Sequence, residues 1–240
     1  MRVEFAGVPG SGKSTLASQL LRSYPFISPF ALPHPLLRLP LGPLRHHAAR
    51  SLLRHKSRRL TKALRRSASP LIELVHHTAH AHVHLPPSAR RQFAAWTLDS
   101  FTLRLLADEL LTNHEPFLND EGTAHRAITL FADHPSLPNE SLILDYLSHL
   151  PPLDLLVIVD APDQDCLLRI QRRSKGPPRR FQLHPDPHTI RNYFTNARRI
   201  ASLTARYLRS EGTTVLHLDT SRTDPNTSLD LVTNALPGPP

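Results

Sequence analysis

The sequence predicts an α/β fold, in which helices cover both faces of a parallel β-sheet of about five strands to make a three-layer sandwich. One observation is an apolar run at residues 3–6 that leads directly into a glycine-rich segment. Another is the run at 155–160, which is apolar up to its final Asp160, as in parallel strands buried on both faces. Strand-like and helix-like segments also alternate along the chain, which is typical of parallel sheets. The 240 residues are enough for one such domain, spanning 1–240, with a helical insertion.

A phosphate-binding motif follows the first predicted strand. Residues 7–14 fit the pattern G-x-x-x-x-G-K-[ST], and the motif requires the preceding buried strand and following helix that we predict here. We expect the ammonium of Lys13 to reach the β- and γ-phosphates of ATP and the hydroxyl of Ser14 to bind Mg²⁺. The predicted strand before the motif and helix after it argue against a chance glycine-rich turn. The predicted nucleotide-binding residues are Gly7, Gly10, Ser11, Gly12, Lys13, Ser14 and Thr15.

The first half of the chain is predicted to be mostly helical after this motif. Apolar residues that recur every four or eight positions among Arg, Lys and His predict an amphipathic basic helix over 44–66. The region 44–113 is therefore interpreted as a helical, basic insertion that binds the acceptor or a partner. In order, we expect a helix over 13–21, a proline-rich connection over 23–43 with a short strand at Phe26 and Ile27, and helices over 44–66, 71–84 and 88–113.

The second half of the chain alternates strands and helices more regularly. Pro151 and Pro152 separate a helix from the apolar strand at 155–160, since proline cannot continue a helix. The expected elements are a strand over 116–119, helices over 123–131 and 141–150, the strand over 155–160, a helix over 166–173, a basic loop over 175–188, a helix over 189–209, a strand over 215–218 and a helix over 226–236.

The charge of the chain is distributed unevenly. Residues 5–98 contain 14 Lys and Arg but a single acid, Glu73, within a chain of net charge +9. Such a field favours an anionic partner: nucleotide phosphates, a phosphorylated or nucleic-acid substrate, or an acidic membrane surface. The lone Cys166 cannot form an internal disulfide, and the first strand begins too early to leave room for a signal peptide. We therefore expect a cytoplasmic protein.

Asp120 and Glu121 follow a predicted strand and are candidate catalytic residues. At the carboxyl edge of the sheet, where the phosphate loop opens, a carboxylate can hold Mg²⁺ or accept the proton of an attacking hydroxyl. We assign Asp120 to the metal together with Ser14. The alternative is that Asp120 caps the helix that begins near Thr123. Arg126, one turn into that helix, can point to a phosphate or lie exposed.

A cluster of basic residues follows the strand at 155–160 and predicts a lid over 169–188. Cations that close over a moving phosphoryl group neutralise its charge and exclude water. Arg169 and Arg173 are the expected catalytic members because they lie one turn apart on a helix. The alternative is a solvated basic surface. The cluster consists of Arg169, Arg172, Arg173, Lys175, Arg179 and Arg180.

Two other groups of residues carry weaker signals. Histidines at 76, 80 and 84 share one helical face, but no Cys accompanies them, and we favour a polar face over a metal site. The basic helix over 44–66 is interpreted as a solvated face, with docking of nucleic acid or an anionic membrane as the alternative.

The N-terminal segment, residues 1–18, resembles the opening of P-loop kinases of the nucleoside and nucleotide kinase type. The strand at 155–160 with the Arg169 and Arg173 segment is similar to the fourth strand and lid entry of that family, and 215–219 is similar to its last strand. The resemblance implies a P-loop NTPase fold with strand order 2-3-1-4-5 and transfer of the γ-phosphoryl of ATP to a small acceptor. The family usually carries Asp-Arg or a related pair after its third strand, whereas Asp120 is followed here by Glu121 and Gly122, and the next arginine is Arg126.

Three other function classes remain as alternatives. A GTPase requires an Asn-Lys-x-Asp segment, which is absent from the chain. A nucleic-acid or membrane-binding protein with an auxiliary nucleotide site is suggested by the basic segment at 5–98. A sulfotransferase also uses a phosphate-binding loop, but nothing favours it over Lys13 and Ser14 holding a magnesium nucleotide. An ATP-dependent small-molecule kinase, with an unidentified acceptor such as a nucleoside or nucleotide, is therefore the leading hypothesis.

Overall fold

The computed structural model describes residues 1–29, 69–112, 115–133, 139–174, 176–183 and 186–236. The strands are β1 (Arg2–Ala6), β2 (Phe117–Asn119), β3 (Leu155–Asp160) and β4 (Thr214–Asp219). The helices are α1 (Lys13–Ser23), α2 (Ser69–Ala81), α3 (Pro87–Leu110), α4 (Thr123–Phe131), α5 (Glu140–Ser148), α6 (Asp163–Gln171), α7 (Arg179–Leu183), α8 (Pro187–Ser210) and α9 (Pro225–Ala235).

The strands form one parallel sheet in the order β2-β1-β3-β4. The strand count differs from the expected five, because the segment at Phe26 and Ile27 is reduced to a single parallel bridge between Ile27 and Phe117. Pro25 and Pro29 flank this segment and lack the N–H that a longer ladder would need. The bridge lies on the side of β2 away from β1, which is the place of the second strand in the order 2-3-1-4-5.

Helices cover both faces of the sheet, as predicted, and each face has its own apolar core. The first core joins the sheet to α1 and α9 and includes Val3, Phe5, Leu16, Leu20 and Val232. The second core joins the sheet to α4, α5 and α8 and includes Ala6, Ile128, Tyr146, Ile158 and Phe194. Since side chains alternate along a strand, β1 contributes Val3 and Phe5 to one core and Ala6 to the other.

Glu4 is a buried acid in the middle of β1, with 1% of its surface exposed. Its carboxylate accepts hydrogen bonds from the backbone N–H of Ala124 (2.8 Å) and the hydroxyl of Thr123 (3.1 Å), so it caps α4. Gly122 permits this contact, because a Cβ there would lie 2.1 Å from the carboxyl carbon of Glu4. Burial raises the pKa of Glu4, and the hydrogen bonds from Ala124 and Thr123 oppose this rise. The strand that leads into the phosphate loop is thereby joined directly to α4.

Some sequence predictions lie outside the described residues. The basic helix over 44–66, and with it the docking of nucleic acid or membrane, falls in this part of the chain. The described part of the insertion, 69–112, contains α2 and α3. The expected loop over 175–188 contains the short helix α7. Among the described residues, no helix has both the length and the apolar character needed to cross a membrane.

We expect Glu4→Ala to lower the free energy of unfolding by about 2–4 kcal/mol, because it leaves a buried cavity and an unpartnered N–H at Ala124. Glu4→Gln retains an accepting oxygen and should cost less than about 1 kcal/mol. Because the folded-state pKa of Glu4 is raised, its ionisation should reduce stability as the pH rises above the ordinary range of a glutamate, and Glu4→Gln should lack this decline. Urea unfolding across a pH series measures both effects, and equal losses in the two variants would contradict the capping role.

Candidate active site

The phosphate loop, residues 7–14, is held close against β3 and α6. A Cβ at Gly7 would lie 2.0 Å from the carbonyl oxygen of Val159, and one at Gly10 would lie 2.4 Å from that of Cys166. Both glycines also have positive φ angles, 137° and 83°, which other residues rarely adopt. The loop therefore follows this path only with glycine at these two positions, and its path brings Lys13 and Ser14 to the start of α1.

Lys13 is buried, and its ammonium lies inside the phosphate loop. Its Nζ donates hydrogen bonds to the carbonyl oxygens of Gly7 and Val8, both at 2.8 Å. Burial lowers the pKa of Lys13 to about 8, while the carboxylates of Glu121 and Asp120 oppose this fall. Backbone carbonyls therefore hold the ammonium in place. This ammonium provides a cation within a loop that is suited to an anionic ligand.

Asp120 lies beside the phosphate loop, where the sequence predicts it. The hydroxyl of Ser14 lies close enough to its carboxylate to favour the ionised form. Burial raises the pKa of Asp120, and Glu121 raises it further, whereas Ser14 and Lys13 lower it. The alternative role as a helix cap is wrong, because Glu4 supplies the side-chain cap of α4.

Glu121 lies on the cavity side of the turn between β2 and α4. One of its oxygens, Oε2, lies 3.5 Å from Nη1 of Arg126, whose Nε donates to the hydroxyl of Ser100 at 2.8 Å. The other oxygen, Oε1, lies 3.9 Å from Nε2 of His125. Partial burial opposes ionisation of Glu121, but His125 when protonated, Arg126 and Lys13 lower its pKa. Arg126 therefore orients Glu121 from the adjoining helix.

His125 is buried in the wall of the same cavity, with 6% of its surface exposed. Burial lowers its pKa well below the ordinary value, and the charges of Lys13, Arg126 and Arg180 act in the same direction, while Glu121 opposes them. The enclosed position therefore disfavours the charged form of the imidazole. Sequence reasoning missed His125, which lies in the first turn of α4, close in sequence to Glu121 in the preceding turn.

Arg169 is fixed at the base of the phosphate loop. Its guanidinium donates to the hydroxyl and carbonyl oxygens of Thr220 at 2.8 and 3.1 Å and to the carbonyl of Gly10 at 3.4 Å. The hydroxyl of Thr220 in turn donates to the carbonyl of Ser11 at 2.7 Å. Arg169 thus braces the loop against the end of β4, at the first position of the expected lid.

Arg180, another member of the expected lid, is enclosed rather than solvated. Its side chain is 9% exposed and pairs with Asp133 at 3.2 Å. The guanidinium also lies 5.2 Å from the ring centroid of Phe93 and 4.6 Å from that of Tyr193. Arg173, in contrast, is exposed and lines the cavity. The basic segment therefore combines a brace, an exposed cation and a buried ion pair.

These residues surround one cavity of about 640 Å³. The phosphate loop and the two acids form its polar end. Aromatic side chains line another part, where Phe93 and Trp96 of α3 stack with ring centroids 5.8 Å apart. The sequence predicts the helix that carries both aromatic residues, and it misses their place in the cavity. Other lining residues include Pro29, Ser100, Leu103, Thr129 and Tyr193.

The histidine-rich segment of α2 does not form a metal centre. Nδ1 of His80 contacts the carbonyl of His76 within the same helix, and both residues are exposed. Across the described ranges, no group of three or more His, Cys, Asp or Glu side chains could hold a metal ion.

Comparison with known proteins identifies the fold. No protein-family model matches the chain, and a search of curated proteins finds no match. Among solved structures, deoxyadenosine kinase from M. mycoides with bound dATP is similar over 98% of both chains, at 12% identity and a TM-score of 0.54. The same enzyme with products dCMP and a flexible dCDP bound matches over 98% of this chain and 97% of that chain, at 14% identity and a TM-score of 0.52. The chain therefore has the fold of a nucleoside kinase-like P-loop kinase.

We expect Arg180→Met to lower the free energy of unfolding by about 3 kcal/mol or more, because it leaves the buried Asp133 without its counter-charge. Adding Asp133→Leu should recover part of this loss, since no charge then remains buried. Urea unfolding of the two single variants and the double variant measures the coupling. Additive losses in the double variant would contradict a coupled ion pair.

Proposed function

We propose that this protein transfers the γ-phosphoryl group of ATP to a hydroxyl of a small molecule of the nucleoside class. The observation that carries the proposal is the single cavity in which the phosphate loop, two carboxylates and aromatic side chains meet. A phosphate loop alone supports nucleotide binding. The adjoining cavity adds space for a second reactant next to the phosphates, which a transferase requires.

The polar end of the cavity suits ATP with Mg²⁺. Lys13 supplies a cation for the phosphates, and glycine N–H groups of the loop supply neutral donors. The hydroxyl of Ser14 and the carboxylate of Asp120 lie close to each other in the cavity, and both are oxygen ligands of the kind that Mg²⁺ prefers. We assign the metal to these two side chains. Bound Mg²⁺ neutralises charge on the phosphate oxygens that it contacts.

The aromatic part of the cavity suits a nucleobase. Flat apolar rings such as Trp96 and Phe93 stack on bases with little regard to base identity. The deoxyadenosine kinase that shares this fold is described with dATP, dCMP and dCDP. These observations support a nucleoside as acceptor and leave the choice of base to experiment.

In the proposed reaction, an acceptor hydroxyl attacks the γ-phosphorus of ATP. A new oxygen–phosphorus bond forms, the bond to the β-phosphate oxygen breaks, and ADP leaves with that electron pair. The hydroxyl proton passes to the carboxylate of Glu121 and then to water. Because such transition states are loose, the hydroxyl needs little prior deprotonation, and an acid with a low pKa is sufficient.

The arginines divide into two roles in this proposal. Arg173, exposed at the cavity, contacts the transferring phosphoryl group as the segment around it closes. Arg169 acts through the phosphate loop, because its hydrogen bonds fix Gly10 and Thr220. The expected lid over 169–188 is thus proposed to move between two anchored residues, Arg169 and Arg180.

The proposal is tested by incubating the protein with ATP, Mg²⁺ and each of the common ribo- and deoxynucleosides, and measuring ADP together with the phosphorylated product. Product formation with at least one nucleoside, dependent on Mg²⁺, is the expected result. ATP hydrolysis at the same rate with and without every nucleoside would overturn the assignment as a kinase for this class.

Lys13→Ala should reduce turnover by on the order of 100-fold or more, because a charge contact to the transferring phosphate is lost. The matched control is Arg22→Ala, which removes an exposed cation from the other end of α1 and should leave turnover unchanged. Steady-state rates with ATP varied measure both. Equal activity in the two variants would remove Lys13 from the nucleotide site.

Asp120→Asn should lower turnover by at least about tenfold and raise the Mg²⁺ concentration needed for half-maximal rate, because one anionic ligand is lost. The melting temperature should change little, since Glu4 caps α4. Asp230→Asn, at an exposed acid of α9, serves as control. A rate and metal dependence like those of the control would exclude Asp120 as a ligand.

A further inference from the structure

We propose that His125 and Glu121 together hold the attacking hydroxyl of the acceptor, with Nε2 of His125 donating to the hydroxyl oxygen and Oε1 of Glu121 accepting its proton. We call these two atoms the hydroxyl fork. The inference rests on the proposed function and adds an acceptor-binding residue to it. It begins from the geometry of two polar atoms that face each other across a gap.

The two atoms of the hydroxyl fork lie 3.9 Å apart, which is too far for a direct hydrogen bond. An oxygen atom can nevertheless lie about 2.8 Å from both of them at once, which is the usual length of such bonds. Both residues line the cavity next to the phosphate loop. A ligand hydroxyl placed there would satisfy both groups and lie beside Lys13 and Asp120.

Glu121 is available for this contact through one oxygen only. Its Oε2 faces Arg126, which Ser100 holds in place, so the carboxylate is oriented with Oε1 toward His125. About half of the Glu121 side chain is exposed in the cavity wall, so a ligand can reach it. The carboxylate accepts hydrogen bonds and cannot donate one, which leaves the donating role to His125.

His125 is suited to donate as a neutral ring. It is enclosed, and among the described residues Nδ1 has no hydrogen-bond partner. A carboxylate near Nε2 favours the tautomer that carries the proton there, toward the cavity. A neutral ring adds no charge to a site that already contains several cations, so it serves to recognise a hydroxyl rather than a phosphate.

The residues of α4 that line the cavity also suit a ligand of the size of a nucleoside. His125 and Thr129 lie four residues apart on α4, Glu121 lies in the turn before this helix, and all three line the cavity. His125 and Thr129 are separated by about 6 Å along the helix axis, and Glu121 extends the row beyond His125. This row accommodates a nucleoside with its reactive hydroxyl at the fork and its base near Thr129.

Three substitutions of His125 isolate the contribution of Nε2. A glutamine amide reaches approximately the position of Nε2, an asparagine amide reaches that of Nδ1, and leucine offers no polar group. We expect His125→Leu and His125→Asn to raise KM for the nucleoside by about tenfold, the equivalent of one hydrogen bond. His125→Gln should stay within about threefold of wild type, and KM for ATP should not change in any variant. His77→Leu, at an exposed histidine of α2, is the matched control.

A binding measurement separates recognition of the hydroxyl from general packing. Trp96 is the only tryptophan and lines the cavity, so its fluorescence reports binding of 2′-deoxyadenosine and of 2′,5′-dideoxyadenosine, which lacks the reactive hydroxyl. Wild-type protein should bind the first at least about tenfold more tightly, and this ratio should fall in His125→Leu and return in His125→Gln. A structural defect would weaken both ligands equally.

The outcomes distinguish this inference from the proposed function. Discrimination between the two ligands that depends on His125, without phosphorylation of any nucleoside, would support the hydroxyl fork and refute the kinase. Phosphorylation with the same ligand ratio in wild type and His125→Leu would refute the fork and leave the kinase standing. Failure of the wild-type protein to bind either ligand would refute the fork as stated.

Discussion

The contact between Glu4 and the first turn of α4 determines the relative position of the two halves of the site. β1 carries Glu4 and continues into the phosphate loop, while α4 carries His125 and begins two residues after Glu121. Because the carboxylate accepts from the N–H of Ala124, the loop and the helix are fixed to each other without any ligand. A polar bond at this place is stronger than one on the surface, since water does not compete for it.

The electrostatics of the cavity follow from this arrangement. Lys13, Arg126 and Arg180 come from three separate segments and act on two acids, so each acid experiences a different balance of burial and charge. Asp120 is next to the phosphate loop and its pKa is raised by burial, whereas the surrounding cations lower that of Glu121. Two neighbouring carboxylates thereby acquire distinct properties, which is a common way to separate the roles of paired acids. Here it separates proposed metal binding from proposed contact with the acceptor.

In the basic segment after α6, residues of the same charge have different roles because they differ in burial. Spacing alone makes Arg169 and Arg173 equivalent, but hydrogen bonds to Thr220 and Gly10 restrain the first and leave the second exposed. Arg180 lies between aromatic rings and pairs with Asp133, a residue 47 positions earlier in the chain. Such a pair is expensive to break because both charges lack water. Arginines of the same segment thus act as a brace, as an exposed cation beside the cavity and as a member of an enclosed ion pair.

The sequence by itself determined the α/β class, the phosphate loop, the position of Asp120 and Glu121 at a strand end and most helix positions, because these depend on local periodicity and on glycines within a short motif. Only the tertiary structure decided that Glu4 rather than Asp120 caps α4, that Phe93 and Trp96 line the cavity, and that His125 faces Glu121 across it. These relations join segments distant in sequence or depend on which face of a helix meets the cavity. Local propensity carries no information about such partners, since packing and burial select them only when the chain folds.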